Sequence, residues 1–169
     1  NICTPKTPYS IAKFLCTNIL LNLYKEEKFP VTILRLFQVY GPKQDDNRII
    51  PYVIKKCKKN KKFLTTKGKQ TCDFCHVDDV VSAIFRTFNK KKTNGEIFNI
   101  GSGYPTKVER VIRIIKKCVG KGNPVIGGLK YKKGINMKNF PNINKAKIKL
   151  GWVSQIKLKS GLKNTIDSY

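Results

Sequence analysis

Tyr9 and Lys13 stand four residues apart in Tyr9-Ser10-Ile11-Ala12-Lys13. On a helix this spacing puts both side chains on one face about one turn apart, a phenol beside an ammonium. A tyrosine that acts as a base near neutral pH needs its phenolate favoured by roughly 4 kcal/mol over that of a free side chain. A cation held beside it in a partly dry site is a source of that size. An ordinary amphipathic helix can also carry such a pair incidentally, so its meaning depends on the segments around it.

Three other clusters suggest chemistry only when taken alone. Cys72-Asp73-Phe74-Cys75-His76 spells the C-x-x-C-H of covalent haem attachment and half of a zinc site. It sits in a strand-like run with no second Cys/His pair at ligand spacing, and haem attachment calls for an export signal, so metal and haem are set aside. The lysines of residues 55–62 suit phosphate neutralisation. They alternate with apolar residues and have few aromatic neighbours for base stacking, which fits a solvated helix face. Gly101-Ser102-Gly103, Gly120-Lys121-Gly122 and Gly127-Gly128 lack the spacing and context of a phosphate-cradling loop. No complete dinucleotide site is therefore expected in these residues.

The elements that must position Tyr9 and Lys13 follow from periodicity and caps. Thr7-Pro8 reads as the cap and first position of a helix running to about Lys28, ahead of Phe29-Pro30. Residues 31–39 are a mostly apolar, β-branched run of the kind a doubly covered parallel strand shows, stopped by Tyr40-Gly41-Pro42. After a polar loop over 43–48, Val53, Ile54 and Cys57 mark an amphipathic helix. Strands are expected over 63–66 and 71–77. Asp78 is expected to cap a helix carrying Val80, Val81, Ile84, Phe85 and Phe88. A buried strand over 96–100 follows, then a capping box at Thr106 and Glu109 opening a helix with Val108, Val111, Ile112 and Ile115. Residues 120–141 read as a surface loop with at most one short strand, and 143–150 and 158–166 as short helices. Strands alternating with helices define an α/β chain.

Composition bounds the class. At 169 residues the chain buries a real core and fits one domain. Its 35 Lys+Arg against 10 Asp+Glu leave a net charge of +25, which attracts polyanions or phosphorylated substrates without choosing among them. No apolar run approaches the roughly 20 residues of a membrane span. Cys3, Cys16, Cys57, Cys72, Cys75 and Cys118 show no compact framework, so reduced thiols in a cytoplasmic protein are expected. An opening on Asn1, with Met137 as the lone methionine, suggests a fragment.

The order of segments carries more than any one of them. Y-x-x-x-K at 9–13, then LRLFQVYGP, NRIIPYVI, GKQTCDFCHVDDVVSAI, GEIFNIGSG, NINKAKIKLGW and SGLKNTI resemble the C-terminal half of the extended short-chain dehydrogenases, the NAD-dependent nucleotide-sugar epimerase/dehydratase family. Within it the chain looks most similar to nucleotide-hexose 4-epimerases and 4-ketoreductases.

The resemblance implies the C-terminal part of a Rossmann-like, doubly wound parallel sheet with a small α/β substrate-binding domain. Residues 1–40 and 71–100 would belong mainly to the Rossmann part, 41–70 and 101–169 mainly to the substrate part. It implies NAD or NADP as cofactor and a nucleotide-sugar as substrate. Tyr9 would be the catalytic base, and Lys13 would hold the nicotinamide ribose and stabilise the phenolate. Phe37 would line the nicotinamide pocket, and Gln38 would stand where the family has a substrate-contacting Asn. Arg48 and Ile49 would contact the nucleotide-sugar. The family's diphosphate-clamping arginine falls at Cys72, and a second one at Lys132. Arginine binds phosphate bidentately, lysine as a point charge and cysteine with no charge, so clamping is weakened.

The glycine loop and the Ser/Thr partner of the tyrosine are missing from these 169 residues, and the sheet would keep an unpaired edge. The chain alone is thus expected to be inactive and poorly soluble or oligomeric. A homodimer of the complete protein is expected from the resemblance, and a membrane partner is not. Two rival readings are a catalytically inactive remnant with weak or no nucleotide-sugar binding, and a basic polyanion-binding protein, for which nucleic acid is the less favoured partner.

Overall fold

The computed structural model describes residues 4–88 and 91–169. Helix α1, Pro8–Glu27, starts and stops as its sequence predicts. Extended Thr7 caps it, its hydroxyl accepting from the Ser10 amide at 3.2 Å, and Pro8 fills the first position, where no amide donor is needed. Lys28, left-handed at φ 58°, closes it by donating to the carbonyls of Leu23 and Tyr24. No residue of α1 is buried, and Ile11, Leu15 and Ile19 form an exposed apolar stripe at four-residue spacing.

The run expected as one strand over 31–39 is two. β1, Thr32–Leu36, pairs in parallel with β6, Glu96–Ile100, while β2, Val39–Tyr40, pairs in parallel with β5, Cys75–His76. At Phe37-Gln38 the chain changes partner. The Phe37 amide donates to the Ile100 carbonyl at 3.1 Å, and the Gln38 carbonyl accepts from the Cys75 amide at 3.1 Å.

Two helices carry the first core. In α2, Ile49–Lys58, the residues Ile50, Val53, Ile54 and Cys57 are buried; in α4, Val108–Val119, they are Val108, Val111, Ile112 and Ile115. Both sets follow i, i+3, i+4, i+7, one apolar stripe per helix, and the stripes face each other with Leu162 and Ile166 of the C-terminal helix α5, Leu158–Asp167. Full burial of each large apolar side chain contributes about 1.5–3 kcal/mol. A second core gathers Cys75, Val80, Ala83, Phe98, Ile100, Ala146, Leu150 and Trp152.

Several expectations give way to longer-range pairing. Residues 71–77 form two short strands, β4 (Thr71–Cys72) and β5, and Val77 already begins helix α3, Val77–Thr87. Its cap is His76, whose Nδ1 accepts from the Asp78 amide at 3.3 Å, so Asp78 sits in the first turn rather than before it. Of the apolar residues read for this helix, Val80 is buried, while Val81, Ile84, Phe85 and Phe88 are exposed. The capping box at 106–109 does not form. Thr106–Lys107 is strand β7, antiparallel to β4, and Lys107 caps α4 without a side-chain bond.

Residues 120–141 are largely irregular as expected, but hold two short strands rather than at most one. β8, Asn123–Ile126, pairs in parallel with β3, Lys62–Thr65, and β9, Lys138–Asn139, pairs in parallel with β4. β8 has β3 as its one strand partner among the described residues, and an edge strand tolerates Pro124. Of the helix expected over 143–150, a wide π turn at Ala146–Leu150 is present, ended by left-handed Gly151. Among the described residues no helix is long and apolar enough to cross a membrane.

α5 lies so close to β2 and β5 that a Cβ on Gly161 would stand 2.2 Å from Tyr40 Oη and 3.0 Å from His76 Cδ2. Alanine is the better helix former by about 1 kcal/mol. Gly161→Ala is nevertheless expected to destabilise by about 1–3 kcal/mol, because two buried rings must move. A drop in thermal midpoint checks this, and a rise would show that α5 shifts freely.

Candidate functional site

The site begins where β1 ends. An open cleft of about 650 Å³ is lined by Tyr9 from the first turn of α1, Phe37 and Gln38 from the partner change, and Gln44, Asp45 and Arg48 from the following loop. Tyr9 is 74% exposed, and Lys13 Nζ stands 5.7 Å from its ring centroid, a cation–π distance that puts the charge beside the phenol. Arg48 has extended backbone angles and caps α2 without a side-chain bond, so it enters the cleft wall at a helix N-terminus, where anions are favoured.

Gln38 and Asn139 also line a second cavity of about 420 Å³, so the two spaces share a wall. Ile49, Thr65, Thr66, Gln70, Cys72, Phe74 and Asn136 are among its other lining residues. No charged side chain lines it among the described residues. Cys72 faces Asn139 across the β4–β9 ladder. Burial pushes the Cys72 thiol up, so at neutral pH the wall is neutral at the position where the resemblance places an arginine. Lys132 lies in the loop between β8 and β9 and lines neither space.

Five of the residues named from sequence thus meet. Tyr9, Phe37, Gln38 and Arg48 share the open cleft, and Ile49 joins Gln38 in the inner cavity; Lys13 stands one turn behind Tyr9. Asn139, Gln44 and Gln70 were not foreseen. Asn139 reaches the site through strand pairing with residues more than sixty positions earlier, for which no local pattern exists.

Two buried carboxylates hold the frame. Asp73, fully buried, accepts from the Ser102 and Gly103 amides at 2.5 and 2.8 Å and fixes the turn after β6. Asp79, 3% exposed, accepts from Ser154 Oγ at 2.7 Å and from the Gln155 and Ile156 amides at 2.9 and 3.1 Å. Between them burial, reinforced by both carboxylates, pushes the Cys75 thiol up to about 12, and burial likewise pushes Tyr40 well above the ordinary tyrosine range. Cys72 and Cys75 are free thiols, and His76 caps α3 through Nδ1. Cys3 lies outside the described residues.

A parallel ladder with helices against it and a cleft at the carboxyl end of its strand defines a Rossmann-like α/β protein. The chain belongs to the NAD dependent epimerase/dehydratase family, whose sequence model matches residues 1–101. Human dTDP-D-glucose 4,6-dehydratase is 31% identical over 172 residues, covering 98% of this chain and 49% of that enzyme. Salmonella muenchen CDP-abequose synthase is 31% identical over 87% of this chain and 51% of its own length. The structure of UDP-glucose 4-epimerase from Thermotoga maritima with UDP-glucose superposes with a TM-score of 0.91 at 31% identity, over 98% of this chain and 54% of that one. A Bacillus anthracis dTDP-glucose 4,6-dehydratase solved with NAD gives 0.90 at 27% identity, over 99% and 53%. The chain spans about half the length of the curated relatives it matches.

Proposed function

We infer that the chain is the substrate-binding half, with the catalytic tyrosine, of an NAD(P)-dependent enzyme that epimerises or reduces a nucleotide-activated hexose. The observation that carries this is the meeting of Tyr9, Phe37, Gln38 and Arg48 on one cleft that shares a wall with an uncharged cavity. Tyr9 Oη takes and returns the proton of a sugar hydroxyl. Lys13, one turn on, stabilises the phenolate and holds the nicotinamide ribose. Phe37 packs against the nicotinamide, and Gln38 orients the sugar. Arg48 meets the diphosphate, and Ile49 packs against the nucleotide. Lys132 would reach the phosphates only by movement of its loop. NAD or NADP supplies hydride donor and acceptor capacity when bound. On this reading the cleft residues serve the nicotinamide end of the cofactor.

The exposed stripe of α1 and the outward Val81, Ile84 and Phe85 of α3, with Phe88 just past it, are, on this reading, covered by the remaining sheet and by a second copy in a homodimer. The isolated chain then associates in solution and does not turn over NAD(H). Measurable turnover by it would defeat that division of labour.

A second reading, a remnant that no longer binds nucleotide-sugars, is favoured by the neutral wall at Cys72. Cys72→Arg separates the two. In a working site the new charge-assisted bonds are expected to tighten UDP-glucose binding roughly 10- to 100-fold by calorimetry. Unchanged affinity would favour the remnant. The basic surface keeps a polyanion reading testable: salt-insensitive or absent binding to a DNA oligonucleotide would remove it.

A further inference from the structure

The loop over 43–48 has no regular structure, yet it supplies Gln44, Asp45 and Arg48 to the cleft that holds Tyr9. It is tied down from three directions. Gln44 Nε2 donates to the Val39 carbonyl at 2.7 Å, fixing the loop to the first residue of β2. The Gln44 carbonyl accepts from Tyr169 Oη at 2.7 Å, a bond across 125 residues to the end of α5. Asp46 pairs with Lys55 of α2, and the Lys55 ammonium lies 5.4 Å from the centroid of the Tyr169 ring. Next to Gln44, the Asp45 carbonyl accepts from the Arg48 amide at 3.0 Å, so the arginine ends a hydrogen-bonded turn over 45–48 that begins one residue after the anchored Gln44. Tyr169 itself packs against the first core, which gives the anchor a rigid base.

We propose that Tyr169 is a positioning residue: by holding the Gln44 carbonyl from the far end of the chain, it sets the loop that presents Arg48 to the anionic part of the substrate. This rests on the nucleotide-sugar reading above and adds to it a residue that touches neither substrate nor cofactor. Its hydroxyl is a neutral donor. Burial and the nearby Asp46 carboxylate push the phenol up, with Lys55 opposing them.

The test uses the whole 169-residue chain, wild type and Tyr169→Phe, which keeps the ring and its packing and removes the hydroxyl. Hydrogen exchange read by mass spectrometry is expected to speed up several-fold over residues 43–48 while staying unchanged in α4. UDP-glucose affinity by calorimetry is expected to fall about three- to tenfold, the scale of one lost hydrogen bond. In an Arg48→Ala background the same substitution should cost almost no further affinity, which a merely structural role would not produce. Asp46→Asn, which releases the loop from its other side, should act in the same direction.

Unchanged affinity in Tyr169→Phe overturns the proposal, as does a full effect that persists without Arg48. If the wild-type chain binds no UDP-glucose, the nucleotide-sugar reading fails and the substrate role of Tyr169 fails with it. Exchange over 43–48 still decides the latch: faster exchange supports it and unchanged exchange ends it.

Discussion

On the proposed reading, Tyr9→Phe made in a full-length protein that carries this chain is expected to lower kcat about a thousandfold, within the range that a positioned acid–base group supplies. The substitution removes one oxygen and little else. Tyr9 is largely exposed in the first turn of α1, so neither a packing contact nor a cap is lost. The ring that Lys13 stands over is retained. Cofactor affinity should therefore stay within about twofold, since the ribose contact assigned to Lys13 does not need the phenol oxygen. Steady-state rates alongside NAD binding by fluorescence make the comparison, and a variant with near-wild-type kcat would remove Tyr9 from the chemistry.

The largest effect on stability is expected at Asp79. One carboxylate of α3 accepts from a hydroxyl and two backbone amides in the segment Ser154-Gln155-Ile156, some 75 positions later. Asp79→Ala leaves the Gln155 and Ile156 amides without that acceptor in a largely dry site, at about 1–3 kcal/mol for each unsatisfied group. A loss of about 3–5 kcal/mol follows, or roughly 2 M in the urea midpoint for a chain of this size. Trp152 is the sole tryptophan, and its Nε1 donates to Ser82 Oγ at 2.8 Å and to the Asp79 carbonyl at 3.2 Å. Its fluorescence therefore reports the same junction. Asp79→Asn keeps one acceptor and should fall between wild type and alanine. A midpoint unmoved in Asp79→Ala would show that the 154–156 segment is held by something else.

What the sequence made legible is the part built from local rules. Thr7-Pro8 and Lys28 bound α1 because caps and proline act within one turn, and the paired stripes of α2 and α4 follow from their periods alone. The strand break at Phe37-Gln38 was hidden, because an uninterrupted apolar run does not reveal that its two ends pair with different strands. β8 and β9 were hidden for a related reason: their partners lie more than sixty residues earlier, and Asn123-Pro124 reads as a turn in isolation. The Thr106 and Glu109 pair matched a capping box, but pairing Thr106–Lys107 with β4 took the threonine into a strand, and Glu109 turned to Arg113. Tyr9, Lys13, Phe37, Gln38, Arg48 and Ile49 were named through the order of whole segments. Asn139 and Gln44 escaped because nothing in their neighbourhood distinguishes them from ordinary loop amides.

Phe37 and Gln38 sit where the backbone leaves one ladder for another, one amide bonded to β6 and the next carbonyl to β5. Two residues of the cleft are therefore steered by the relative twist of two separately packed ladders. Substitutions behind either ladder, remote from the cleft, have a mechanical route to the angle at which Gln38 enters the wall shared by the two spaces.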